Sequence, residues 1–189
     1  MAWLVNGALL NIRDWPKDRE WRRINMNEAR MWVEAHGLPR PYLTWENIDV
    51  VAKEVGVYID FDRVSHATIT KRGFLKFQVD VRIDQKLVAG FYLSISRDRK
   101  EWIQFNYHKL PALFFNCGLL AHSLSPYEKL TKYAYPPIGN AVPLYDAWMK
   151  VGVPIRNFFD PNLSRMHRDP PTSSRIRSSL AATSMDKGK

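Results

Sequence analysis

Cys117 and His122 are separated by four residues, with Gly118 straight after the cysteine and Ala121 just before the histidine. A thiolate and an imidazole at that spacing, around a glycine turn, can occupy one side of a tetrahedral Zn²⁺ site. Two donors fill only half of such a shell. Cys117 is the one cysteine of the chain, which excludes an internal disulfide framework and a self-contained Cys₄ or Cys₂His₂ set. His36, His66, His108 and His167 lack the local spacing to complete it. The pair therefore reads either as a remnant of a metal site or as a buried cysteine beside an ordinary histidine. Zinc is an option that the pair alone does not satisfy, and no other cofactor is expected.

Cationic residues form the other group. Lys71, Arg72 and Lys76 flank the start of an alternating stretch, and Arg97, Arg99 and Lys100 crowd a polar turn. Such clusters can neutralise phosphates, although charged turns are commonly just solvated. Trp102 shares its alternation with Gln104 and Asn106. A tryptophan among polar neighbours on a sheet face suits base stacking on single strands. It suits a second packed layer equally. Phe114, Phe115 and Tyr127 carry the same two readings, stacking or packing. Arg165, Arg168, Arg175 and Arg177 lie in a final segment, 161–189, that has six serines, three prolines and no aromatic residue. Such a composition cannot bury enough apolar surface to offset its ordering entropy, so a disordered basic tail is expected. Its arginines are directed at phosphates, or the tail is only a solubiliser.

Signals for catalysis are poor. There is no Gly-rich phosphate loop, no H-E-x-x-H and no G-x-S-x-G. Asp60 and Asp62 stand two apart, a pattern better suited to a turn than to the metal site of a nuclease. Neither an enzyme nor a small-molecule substrate is expected.

The elements that must position these groups follow from periodicity. Trp3 to Ile12 reads as a strand and Met31 to His36 as another. The clearest helix begins at an N-cap, Thr44, with Trp45, Ile48, Ala52 and Val55 as its buried stripe and Gly56 as its stop. Beyond it the period changes to two, in Val57–Phe61, Phe74–Ile83, Phe91–Ser96 and Trp102–Tyr107. Strand, helix, strand and then three strands in a meander imply an α+β fold: a small antiparallel sheet with one helix. An irregular, knuckle-like segment and the basic tail complete it. With 189 residues, 46% of them hydrophobic, and a net charge of +9, the chain is a basic protein able to bury a core. Polyanions are its first expected partners. No apolar run approaches the ~18 residues that cross a bilayer, and the start lacks a signal-peptide pattern. No membrane is expected, and the expected location is intracellular, cytoplasmic or nuclear.

Four blocks carry a resemblance. Trp3 to Trp15 is similar to "W-x-x-x-G-x-L-L-x-x-x-x-W", Trp32 to Pro39 to "W-V-x-x-H-G-L-P", Tyr107 to Pro111 to "Y-E-x-L-P", and Leu144 to Lys150 to "Y-G-x-W-L-R-A". In that order they resemble plant LINE-type retrotransposon gag-like proteins, in which a domain of unknown function precedes a C-x₂-C-x₄-H-x₄-C zinc knuckle. In the knuckle's register Phe114 and Tyr127 stand where two cysteines would, so Cys117 and His122 are the ligands kept. Those proteins have an RRM-like half before the first block, and on this resemblance the chain is truncated at its N-terminus. The implied divisions are a partial gag-like domain at 1–110, a degenerate knuckle at 111–130, a Pro-rich extension at 131–160 and the tail at 161–189. The resemblance implies weak, largely sequence-independent binding to single-stranded RNA or DNA. The alternative is a structural, self-associating protein that has lost nucleic-acid binding.

Overall fold

The computed structural model describes residues 2–120, 131–135 and 141–153. The tail arginines Arg165, Arg168, Arg175 and Arg177, and also His122 and Tyr127, lie outside the described residues. The chain begins with a hairpin, β1 (Ala2–Val5) and β2 (Ala8–Asn11), where one strand was expected. Asn6 and Gly7 take positive φ angles of 49° and 82° and reverse the chain between them. Asn-Gly is the dipeptide that such a two-residue turn favours.

Seven elements build the body. They are β3 (Glu28–His36), α1 (Ile48–Lys53), β4 (Val57–Phe61), α2 (His66–Arg72), β5 (Phe74–Arg82), β6 (Gly90–Ser94) and β7 (Lys100–Tyr107). Two short ladders follow, β8 (Leu113–Phe114) with β9 (Leu119–Leu120), and β10 (Tyr133–Ala134) with β11 (Val142–Pro143). Among the described residues the fold is a mostly antiparallel sheet with two α-helices. Among the described residues no helix is long and apolar enough to cross a membrane.

The five-stranded sheet has the order β4-β5-β3-β7-β6, each neighbour antiparallel. It is not the expected meander, because β3 lies between β5 and β7. Side chains explain the central pair. Ala29, Met31, Val33 and Ala35 of β3 stand directly opposite Val81, Val79, Phe77 and Leu75 of β5. All eight are buried, so this face of the central pair forms the core and is the one that must be covered. Ile103, Phe105 and Tyr107 extend the layer on β7, and Ile48, Val51 and Ala52 of α1 with Ile69 of α2 cover it.

The expected helix stripe needs correction. Residues 45–47 form a 3₁₀ turn, and α1 proper has six residues. At three residues per turn the tryptophan rotates off the stripe. Trp45 is 45% exposed, with its indole N–H donating to the Val64 carbonyl at 3.1 Å, while Val51 takes its buried place. Thr44 provides no side-chain cap; its hydroxyl accepts from Asn47 Nδ2 instead. Gly56 matters for closeness rather than for a stop, since a Cβ there would lie 2.4 Å from the Asp80 carbonyl oxygen.

Helix α2 was not expected. Ser65 Oγ accepts from the Thr68 amide as its N-cap, and Gly73, at φ 77°, ends it in the left-handed region.

Candidate nucleic-acid interface

Strand register brings the two cationic clusters to one end of the sheet. Phe74 of β5 pairs with His36 of β3, and His36 pairs with Gln104 of β7. Lys71 and Arg72 lead into that row from α2, and Lys100 lies just beyond it on β7. Arg97 and Arg99 sit in the turn between β6 and β7, closed by the Ile95 amide donating to the Arg99 carbonyl at 2.9 Å. Neighbouring strands lie about 4.8 Å apart, so β5 and β7 are roughly 10 Å apart across the sheet, and Lys100 lies four residues, about 13 Å, along β7 from the row. Lys71, Arg97 and Lys100 are exposed there. Arg40 and Arg63 reach the same end from the segments after β3 and β4, and nothing in their local sequence singled them out.

The face opposite the helices carries the even-numbered residues of β3 and β5. Trp32, His36, Phe74, Lys76 and Gln78 are half-buried on it. The Lys76 ammonium lies 5.7 Å from the Trp32 ring centre, and the His36 and Phe74 rings are 4.6 Å apart. These rings, which the sequence reading left unassigned, form an aromatic column rising from the cationic end. Only the alternation of Trp32 with Glu34 and His36 could have flagged it.

Glu34 anchors this face. Its carboxylate oxygens meet His108 Nε2 at 2.8 Å and His36 Nε2 at 3.1 Å, and the residue is 7% exposed. Burial pushes its carboxyl up, but the hydrogen bonds and charges of the two imidazoles outweigh that and bring it down to about 2. At the far end Arg30 forks onto Asp80 with two 2.9 Å bonds, and Arg13 lies 3.6 Å from the same carboxylate. The Arg30 hydrogen bonds hold Asp80 below its ordinary range against the opposing effect of burial.

Some expected site residues do other work. Arg72 grips Asp62 with both terminal nitrogens, donates from Nε to the Phe74 carbonyl at 2.8 Å and lies 4.7 Å over the Phe74 ring. Its charge is matched by Asp62, so Arg72 fixes the corner and does not present a free cation to a phosphate. Asp60 and Asp62 accordingly serve a turn, Asp60 with Arg63 at 3.3 Å. Arg99 pairs with Glu101 at 2.6 Å.

Trp102 is corrected too. It is 7% exposed, and its ring meets Tyr92 at 5.0 Å between centres. It lies so close over Gly90 that a Cβ there would come within 2.5 Å of it. Gln104 and Asn106 are buried beside it. The 3₁₀ turn Ala147–Met149 packs on β7, where Asn106 Nδ2 donates to the Trp148 carbonyl at 2.5 Å. This half of the face is a second packed layer, and the half on β3 and β5 carries the half-buried residues Trp32, His36, Phe74, Lys76 and Gln78.

Cys117 is buried in the tight turn between β8 and β9, where the amides of Cys117 and Gly118 both donate to the Phe114 carbonyl. Phe114 is half-buried on β8 opposite Leu119. Among the described residues no three His, Cys, Asp or Glu side chains are grouped so as to hold a metal ion. Comparison with protein-family models, with curated proteins and with solved structures finds no match.

Proposed function

We propose that this protein is a non-enzymatic, retrotransposon-derived nucleic-acid-binding protein that holds single-stranded RNA or DNA weakly and with little sequence preference. One observation carries the reading: Lys71, Arg97 and Lys100 are exposed at the same sheet end from which the Trp32, His36, Phe74 and Lys76 column rises. Exposed cations supply phosphate neutralisation, and half-buried rings offer π-faces that any base can use. Lys76 is placed to serve both. The tail arginines would add sequence-independent charge. Neither zinc nor any other cofactor enters this function, and the Glu34–histidine network acts as a scaffold.

The test is binding of the full chain to a fluorescent single-stranded oligonucleotide of about 12 nucleotides, within the range such sites cover. The triple variant Lys71→Ala, Arg97→Ala, Lys100→Ala should bind at least tenfold more weakly at low salt. Equal affinity of the two proteins would reject this surface.

Self-association is the second reading, and the outer edge of β4 favours it. Among the described residues no strand pairs with that edge, and Val57 on it is 61% exposed. A monomer in sedimentation across micromolar concentrations would dispose of it.

A further inference from the structure

Away from the cationic end, the loop between β2 and β3 holds two tryptophans in solvent. Trp15 is 68% exposed and Trp21 is 57% exposed, more than any other described tryptophan. The loop is nevertheless tied down at both ends. Asn11 Nδ2 and an Arg13 guanidinium nitrogen each donate to the Glu28 carbonyl at 2.6 Å, and Arg13 also faces Asp80. It is ordered inside as well. The Arg19 amide donates to the Pro16 carbonyl at 3.0 Å, and the Ile24 amide to the Trp21 carbonyl at 3.1 Å. The two indoles thus flank one fixed turn. Arg19, Arg22 and Arg23 are exposed around them, with the Arg22 guanidinium 5.4 Å from the Trp21 ring centre and Arg23 paired with Asp18 of the same loop at 3.6 Å.

A hydrogen-bonded loop that presents two large, amphipathic indoles among arginines is suited to a planar, anionic partner. Asp80 lies on the same face as Trp32 and Lys76, so Arg13 brings the loop out on that side of the sheet. Strand β3 runs from Glu28, beside the loop, to His36 in the cationic row. Nine residues at about 3.3 Å each span nearly 30 Å, a stretch that several nucleotides of a single strand would cover.

We infer that Trp15 and Trp21, framed by Arg19, Arg22 and Arg23, form a second binding subsite, one that stacks unpaired bases of a single strand whose phosphates are held at the cationic end. The inference rests on the function proposed above and assigns to the loop the larger, base-dependent stacking that the half-buried Trp32, His36 and Phe74 rings supply only in part.

The experiment compares oligothymidylate with an abasic strand of equal phosphate number, binding each to the wild type, to Trp15→Ala/Trp21→Ala and to Trp15→Phe/Trp21→Phe. Both positions are exposed, so circular dichroism and thermal melting should show the variants folded as the wild type is. The wild type should prefer the base-bearing strand about tenfold or more, which is the scale of one to two stacked bases. The alanine variant should lose most of that preference, keeping only what the Trp32, His36 and Phe74 rings supply, while its abasic binding is unchanged, and the phenylalanine variant should keep most of it. An alanine variant that retains the preference overturns the subsite and leaves the proposed function standing. Loss of a dimer in the alanine variant, or of binding to anionic vesicles with no change in strand binding, assigns the loop to another partner and also overturns it. A wild type that binds neither strand overturns both readings.

Discussion

Glu34→Gln isolates the electrostatic anchor of the open face. In the folded chain the carboxyl is brought from an ordinary 4.5 down to about 2, by His108 and His36 against the cost of burial. A group with a depressed folded value binds fewer protons folded than unfolded between those two values. Its stabilisation is therefore complete above about pH 4.5 and is lost as pH falls toward 2. At 1.36 kcal/mol per unit the full contribution is about 3 kcal/mol, of which about 2 kcal/mol is gone by pH 3. Glutamine keeps the shape and one acceptor but cannot ionise, and hydrogen bonds to a charged group are roughly twice as strong as neutral ones. Urea denaturation at pH 6 should thus find the variant about 2–3 kcal/mol less stable, with that gap shrinking to about 1 kcal/mol at pH 3. Taking the difference between the two proteins removes the contributions of Asp80 and the other carboxylates. Parallel stability curves for wild type and variant from pH 6 to pH 3 would refute the reasoning.

Three further outcomes are expected. Ile48→Ala should cost about 2–5 kcal/mol in chemical denaturation, because the side chain is 1% exposed, whereas Trp45→Ala should cost about 1 kcal/mol, mostly its bond to Val64. Gly56→Ala should destabilise by about 1–3 kcal/mol, since its Cβ would press on the Asp80 carbonyl and the β4–β5 pairing must shift. Arg72→Ala should lower the melting temperature by several degrees through loss of the Asp62 pair and the Phe74 contact, whereas Lys71→Ala should leave it unchanged and weaken only strand binding.

Local pattern was legible where it was decided locally. Val57–Phe61 forms a strand with the boundaries that its alternation implies, and the even–odd pattern of Phe74–Ile83 correctly separates a core face from a polar one. Strand order was not legible, because the placement of β3 between β5 and β7 depends on matching whole faces of residues far apart in the chain. Helix α2 buries only Ile69, so it shows no stripe, and its Ser65 cap and Gly73 stop were the available signals. At the candidate site, the cations were visible as types but not as roles. Arg72 is claimed by Asp62, ten residues upstream, Trp102 is covered by Tyr92 and Gly90 of the neighbouring strand, and Asn106 bonds to a turn more than forty residues downstream. Partners that distant leave no mark on spacing.

The central claim is that exposed cations at one sheet end hold a single strand by its phosphates, and its most direct test is affinity as a function of salt. For the full chain, log K should fall linearly with log salt, each engaged phosphate contributing about −0.7 to the slope. The triple variant of Lys71, Arg97 and Lys100 to alanine removes three such contacts and should shallow the slope by about 2 units. A wild-type chain whose strand binding is indifferent to salt, or a triple variant whose slope matches it, would contradict the account.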